Sequence, residues 1–398
     1  MIEAGRGLLR ILSAYEPRRL IEALRRSGAT PVALLAATAA TDPHRIAWRD
    51  TAGEMSYADV VAGTESRRGG TGPLLATESD PRLLVLTVLA ALADRRGVAV
   101  LGARGGKAAA EVPVGPGLAF LSSGTTGRPR AHVTRREPLA LLPYLGMVGR
   151  LPYLRRPLVG SPSHPDHGHA FLLVLLTWAL GGTYVQLDAP VGHLDVLSGV
   201  PLQLADVLDN GWCTGATHVV SGSDRLDPAL ATRLADSLGA TVWDAYGATE
   251  SGPISLASPA DVRAGTVGRP LPGVRVRVDD DGRLSVRTPA GGEVFRGDRG
   301  RIDAAGRIVL EGRADGRLVT GGEVVDPDLL RRWLESQPGI LRAEVTPVPD
   351  DRFGERLAVT VVGAVADVTA VRTAIRHYLG PAHVPVSLTV TPAARPEG

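Results

Sequence analysis

The chain predicts an α/β protein in which a large N-terminal domain of sheets and helices carries a small β-rich subdomain and is followed by a small α+β C-terminal domain. Three observations lead there. Thr217 to Ser221 reads as a strand, Pro228 opens a helix behind an Asp227 cap, and Thr241 to Trp243 returns as a strand, which is the strand, crossover, strand unit of α/β architecture. After residue 264 the texture shifts to closely spaced short strands with Gly and Asp turns. Around Gly312-Arg313-Ala314-Asp315-Gly316 it shifts again, and the glycines flanking that pair mark a boundary. The expected division is 1–312, with the β-rich subdomain at about 264–312, and 313–398.

In chain order, Leu8 to Leu12, Leu20 to Leu24 and Val32 to Leu35 place apolar residues at helical spacing among arginines, giving two or three amphipathic helices with a solvated basic face. Ile46 to Asp50 and Met55 to Asp59 read as an opening strand, then a strand running into a helix. Leu118 to Leu121 and Ala131 to Thr134 are extended, with a Ser/Gly/Thr loop pinned between them. Val274 to Val278, Arg283 to Val286 and Arg307 to Glu311 are the short strands. Leu329 to Leu334, Leu357 to Val362 and Val368 to Leu379 are the helix, strand and helix of the last segment.

Composition excludes several classes. With 398 residues, 44% hydrophobic and 22% charged, the chain can bury large cores. A net charge of +2, with no Lys/Arg block interleaved with aromatics, gives no nucleic-acid footprint. Cys213 is the only cysteine, which excludes an internal disulfide framework and suits a reducing compartment. The longest apolar stretches, Leu83 to Ala93 and Ala170 to Leu180, are too short to span a bilayer, and no leader pattern follows Met1, so a cytoplasmic location is expected. Lys107 is the only lysine.

Residues 121–130, Leu-Ser-Ser-Gly-Thr-Thr-Gly-Arg-Pro-Arg, have the chemistry of a phosphate cradle. Gly124 and Gly127 permit backbone angles that aim successive N–H groups at one anion, Ser122, Ser123, Thr125 and Thr126 add hydroxyls, and Arg130 adds a fixed charge. It is not the GxxxxGK[ST] loop, because no Lys-Ser or Lys-Thr follows. In Asp244-Ala245-Tyr246-Gly247-Ala248-Thr249-Glu250, Tyr246 offers a face for a purine, Thr249 a hydroxyl for a phosphate oxygen and Glu250 a hard ligand for Mg²⁺. Asp298 could accept from both hydroxyls of a ribose, while residues 303–306 form a hairpin turn. Gly312-Arg313-Ala314-Asp315 and Gly321-Gly322-Glu323 complete the set.

In order and spacing, these motifs resemble the adenylate-forming superfamily of acyl-CoA and aryl-CoA synthetases, peptide-synthetase adenylation domains and luciferases, from about Leu34 to the C-terminus. The resemblance implies that loop 122–130 holds the ATP triphosphate and that Tyr246 packs on adenine, with Gly222, Asp244 and Gly247 beside it. It also implies that Thr249 meets the α-phosphate, Glu250 binds Mg²⁺, Asp298 clasps the ribose, and Arg313 lies against the nucleotide. Arg130, Thr249, Glu250 and Arg313 are then the catalytic candidates, and Asp315 is the hinge. A small carboxylic acid would attack the α-phosphate, and its adenylate would pass to the thiol of coenzyme A or of a carrier-protein phosphopantetheine, with Gly321-Gly322 along the thiol's approach. His164, His167, Ser221, Trp243 and Gly247 are the expected acyl-pocket residues, and an aromatic content of 4% favours an aliphatic pocket.

The sequence departs from that family at three places. Arg130 stands where the loop ends in lysine, which preserves the charge. The near-terminal Gly-Lys has no lysine here: Pro396-Glu397-Gly398 resembles its approach, so either the lysine follows Gly398 in a longer chain or the protein lacks it. If it is lacking, adenylation should be slow and transfer from a preformed adenylate should persist, because Arg395 does not reproduce an ammonium's geometry. In 161–171 the pocket motif's histidine is displaced or replaced by Pro165, and the irregular spacing of His164, Asp166, His167 and His169 disfavours zinc. The rival readings are a member performing only the transfer half or activating an unusual acid, and a nucleotide-binding pseudoenzyme serving as a partner subunit.

Overall fold

The computed structural model describes residues 1–28, 30–102, 117–122, 130–134, 138–152, 154–248, 251–289, 297–365 and 367–392, with only the backbone for 121, 122, 130–134 and 138. The class is α/β, as the sequence indicates. Three helices open the chain, Ile2–Ser13, Pro17–Ser27 and Pro31–Thr41. The first crosses the helix Leu142–Arg150 so closely that a Cβ on Gly149 would lie 1.9 Å from the Glu3 carbonyl oxygen and one on Gly7 1.9 Å from that of Leu145. Glycine at both crossing points lets the two backbones touch.

The central sheet has eight strands in the order Gly252–Ala257, Thr241–Ala248, Cys213–Gly222, Val191–Gly199, Leu158–Ser161, Thr183–Gln186, Ile46–Asp50 and Gly53–Ser56. Its middle strands run parallel, and each end closes with an antiparallel neighbour. Parallel strands need crossovers, which come from the helices Pro201–Asp209 and Pro228–Leu238. Asp227 caps the second as expected, its carboxylate accepting from the N–H groups of Ala229 (2.6 Å) and Leu230 (3.4 Å). The apolar stretch 170–180 becomes the helix Gly168–Ala179, and 83–93 becomes Pro81–Ala93.

A second sheet orders Leu74–Ala76, Gly97–Val100, Gly117–Ser122 and Arg130–Thr134. Trp48, Trp178, Tyr184, Phe171 and Leu84 lie in the core shared by the two sheets, and burying each such side chain contributes about 1.5–3 kcal/mol. The short strands after residue 264 form two hairpins, Arg275–Val278 with Leu284–Arg287 and Asp298–Ile302 with Ile308–Arg313. Residues 318–391 build a five-stranded sheet around Ile340–Asp350 and Gly354–Gly363, with its own core of Leu318, Leu330, Leu334, Val359 and Ile375. Among the described residues no helix is long and apolar enough to cross a membrane.

The site follows from the topology. Strands 191–199, 213–222 and 241–248 end side by side, and such carboxyl ends leave a crevice into which loops and following side chains open.

Candidate active site

Within that crevice the parallel register decides which side chains can meet. Val220 aligns with Ser198 and Trp243, whereas Ser221 aligns with Gly199 and Asp244. Because successive residues of a strand face opposite sides, Ser221 shares a face with Asp244 and not with Trp243. The sequence grouped Ser221 and Trp243 in one pocket, and the register puts them on opposite faces of the sheet. Ser221 is fully buried, and among the described residues its hydroxyl has no partner.

Three separated segments converge beyond Asp244. The Tyr246 hydroxyl donates to Asp298 Oδ2 at 2.6 Å, across 52 residues of chain. The hairpin register sets Asp298 opposite Arg313, whose Nη1 lies 3.4 Å from Asp298 Oδ1. Arg313 Nε in turn donates to Asp315 Oδ1 at 3.0 Å, and the Arg317 N–H donates to the same oxygen at 3.2 Å. Burial, and then the Asp298 charge, push the Tyr246 phenol far up, so it stays a donor. Tyr246 and Arg313 thus engage the two oxygens of the Asp298 carboxylate, one each.

Asp244 is 8% exposed, and no donor among the described residues reaches it. Burial, and then neighbouring Asp224, push its carboxyl up to about 7, and burial alone takes most of the credit for moving Asp224 to about 6. A desolvated acceptor without a donor fits an exocyclic amino group such as that of adenine. Both carboxyls are raised on folding, so stability is full below the ordinary carboxylate range and is lost as pH rises from about 4 to 7. Asp244→Asn is therefore expected to raise the stability of the nucleotide-free protein at pH 8, on the order of 3 kcal/mol, with the gain vanishing near pH 4. Thermal melts across that range check this, and a gain independent of pH would contradict it.

Several expected residues lie outside the described set: Ser123, Gly124, Thr125, Thr126 and Gly127 of the loop, Thr249 and Glu250, and also Lys107 and Arg395. At the loop's ends, the backbone register pairs Ser122 with Arg130 in two antiparallel strands. Among the described residues no group of three or more His, Cys, Asp or Glu has metal-binding geometry. Gly247 sits at an irregularity in the strand pairing with Gly252–Ala257, where a Cβ would come within 2.6 Å of the Gly252 carbonyl oxygen.

On the opposite face, Trp243 Nε1 donates to His218 Nδ1 at 3.3 Å, and His218 Nε2 donates to the Pro152 carbonyl at 3.0 Å, which anchors the indole. His164 and His167 flank buried Asp166, their ring nitrogens 3.0 and 3.6 Å from its Oδ1, and His164 Nε2 donates to the Ser79 carbonyl at 3.1 Å. The histidine that reaches the crevice at Gly222 is His169, in the first turn of its helix, with Nε2 3.1 Å from Ser198 Oγ. The sequence placed 164–171 in the pocket without singling out His169, and it missed Ser198. The available signal was helix phase, since His169 immediately precedes the buried pair Ala170 and Phe171.

The last segment also touches this crevice. The Gly322 N–H donates to Asp224 Oδ2 at 3.1 Å, and Arg352 Nη2 pairs with Asp206 Oδ1 at 2.7 Å. A Cβ on Gly321 would come within 2.9 Å of Leu202, and one on Gly322 within 2.8 Å of Val200, so only a loop without side chains lies this close.

Tyr246, Asp298 and Arg313 are thus linked beside the buried Asp244 at the ends of parallel strands in an α/β fold. The chain belongs to the AMP-binding enzyme family, whose signature matches residues 11–312. It is 28% identical over 261 residues to a 2-succinylbenzoate–CoA ligase of Salmonella typhimurium, a match covering 59% of this chain and 56% of that protein. It is 28% identical over 333 residues to the "probable non-canonical nonribosomal peptide synthetase" CymA of Salinispora arenicola, covering 69% of this chain and 4% of that protein. Its fold matches the amide bond synthetase McbA of Marinactinospora thermotolerans with a TM-score of 0.71 at 20% identity, covering 89% of this chain and 95% of that one. The chain thus spans about half of the first relative and a small part of the second.

Proposed function

We propose that this chain is an ATP- and Mg²⁺-dependent acid–thiol ligase. A substrate carboxylate attacks the α-phosphorus of ATP, the bond to the β-phosphate oxygen breaks, pyrophosphate leaves, and an acyl or aryl adenylate forms. A thiol then attacks the acyl carbon, AMP leaves, and a thioester results. The single observation supporting this most strongly is the convergence of Tyr246, Asp298 and Arg313 next to Asp244. In this reading Asp298 takes the ribose hydroxyls, Tyr246 packs on adenine, Asp244 accepts from its amino group, and Arg313 balances charge beside them.

Loop 122–130 and Thr249 would surround the phosphates, with Glu250 as the ligand for Mg²⁺, whose bound charge offsets repulsion between the carboxylate and the polyphosphate. Asp315, between Gly312 and Gly316, would be the hinge about which 313–398 turns relative to 1–312. The contact of Gly321-Gly322 with Val200, Leu202 and Asp224 favours a thiol entering there. Similarity to a CoA ligase and to a peptide synthetase makes coenzyme A and carrier-protein phosphopantetheine the two acceptors to compare.

The test is pyrophosphate release with a panel of acids, detection of the adenylate by mass spectrometry, and thioester formation with each acceptor. Acid-dependent pyrophosphate and an adenylate support the reading. Stabilisation by ATP or AMP without any turnover would instead identify a nucleotide-binding partner subunit, and transfer from a supplied adenylate without its formation would identify a transfer-only enzyme.

A further inference from the structure

His169 presents an unusual combination of depth and unused capacity. It lies beside Gly222 at the crevice, and among the described residues its one hydrogen bond is that between Nε2 and Ser198 Oγ. Ser198 is fully buried, and its hydroxyl donates to the Val220 carbonyl at 3.0 Å. A serine has one proton to give. With that proton on Val220, Ser198 can only accept from His169, so the imidazole carries its hydrogen on Nε2. The reverse arrangement would spend the serine proton on Nε2, forgo the bond to Val220, and leave an orphaned N–H at Nδ1, which is the costlier defect. Burial, and then the charge of His167, push the ring down to about 4, so it is neutral at neutral pH. Nδ1 therefore carries a lone pair that no described residue engages.

Gly222 lets the imidazole lie directly against the end of its strand. A Cβ built there would lie 3.3 Å from His169 Cε1 and 3.5 Å from Nδ1. Gly222 is not among the residues with a positive φ, so its backbone does not require glycine. His169, half-buried as a residue, packs there at the ends of the strands, on the face shared by Ser198 and Trp243.

Resting on the ligase reading above, we infer that the acid activated here bears a hydroxyl group that donates to His169 Nδ1, with Ser198 as the positioning residue that fixes the imidazole. A deoxy analogue leaves the lone pair unpaired, an O-methyl analogue has no proton to give, and a second carboxylate meets a lone pair instead of a cation. Substrate class is thereby narrowed to hydroxy acids.

Two measurements test this. In protein with ¹⁵N-labelled histidine, with His169 assigned by comparison with His169→Leu, the tautomer at pH 7 is expected to be Nε2–H. The Nδ1 resonance should shift on adding a hydroxylated acid and not on adding its methyl ether. The probes are benzoate with its hydroxy and methoxy derivatives, and butyrate with its 2- and 3-hydroxy and methoxy derivatives. In turnover, one or more hydroxy acids should exceed both the deoxy and the methoxy partner in kcat/KM by at least about tenfold. His169→Leu should collapse that ratio to about twofold, and Ser198→Ala should reduce it in part. An Nδ1–H tautomer, an Nδ1 resonance unmoved by every hydroxy acid, or a ratio unchanged in His169→Leu overturns the inference. Absence of pyrophosphate release with every acid overturns the ligase reading and leaves the titration of Nδ1 to decide this one.

Discussion

Asp298→Ala is expected to weaken ATP binding by about a thousandfold and to lower the melting temperature as well. Asp298 is 8% exposed and is engaged on both oxygens, by the Tyr246 hydroxyl and by Arg313. Removing it takes the acceptor from a mostly buried phenol and one of the carboxylates from a mostly buried guanidinium, and breaking a buried pair costs about 3–5 kcal/mol where the remaining charge has no other partner. Arg313 retains Asp315, which holds the stability loss to the lower part of that range. The ribose contact is lost in addition. Asp298→Asn separates the two effects, because its amide carbonyl still accepts from Tyr246 while the charge opposite Arg313 disappears. Titration calorimetry with ATP and a thermal melt check both numbers. Unchanged affinity in Asp298→Ala would remove the nucleotide from this part of the crevice.

Gly322→Val is expected to lower thioester formation by about a hundredfold and adenylate formation by less than tenfold. Gly322 has φ +87°, a backbone region costing a β-branched residue about 1–3 kcal/mol, and its Cβ would meet Val200 Cγ1 at 2.8 Å. Both penalties push the loop away from Asp224, to which its N–H donates. Loop displacement should matter most for the step in which a thiol enters past it. Measuring pyrophosphate release and thioester yield on the same preparation distinguishes the two half-reactions. Equal loss of both would place Gly322 in the folding of the last sheet and not in transfer.

Much of the architecture was legible because local signals and long-range packing agree. The Asp227-Pro228 start and the closely spaced short strands after 264 became the helix Pro228–Leu238 and the two hairpins, with boundaries moved by a few residues. Strands extended beyond their apolar cores, 217–221 growing to Cys213–Gly222, because ladder hydrogen bonds continue past the residues that bury side chains. The pairing of Tyr246 with Asp298 was approached only as convergence on one nucleotide, and their direct hydrogen bond was not foreseen.

The sequence alone determined the α/β class, the family through its ordered motifs, and the chemical inventory at each segment. Those are properties of local composition and spacing, which a chain carries whether folded or not. Tertiary structure decided which side chains share a face. Register in the parallel sheet parted Ser221 from Trp243, helix phase brought His169 to Gly222, and the docking of 321–322 made Asp224 an acceptor. A strand's side chains alternate with a period of two, so one residue of register exchanges its faces, and that register is set by neighbours distant in the chain.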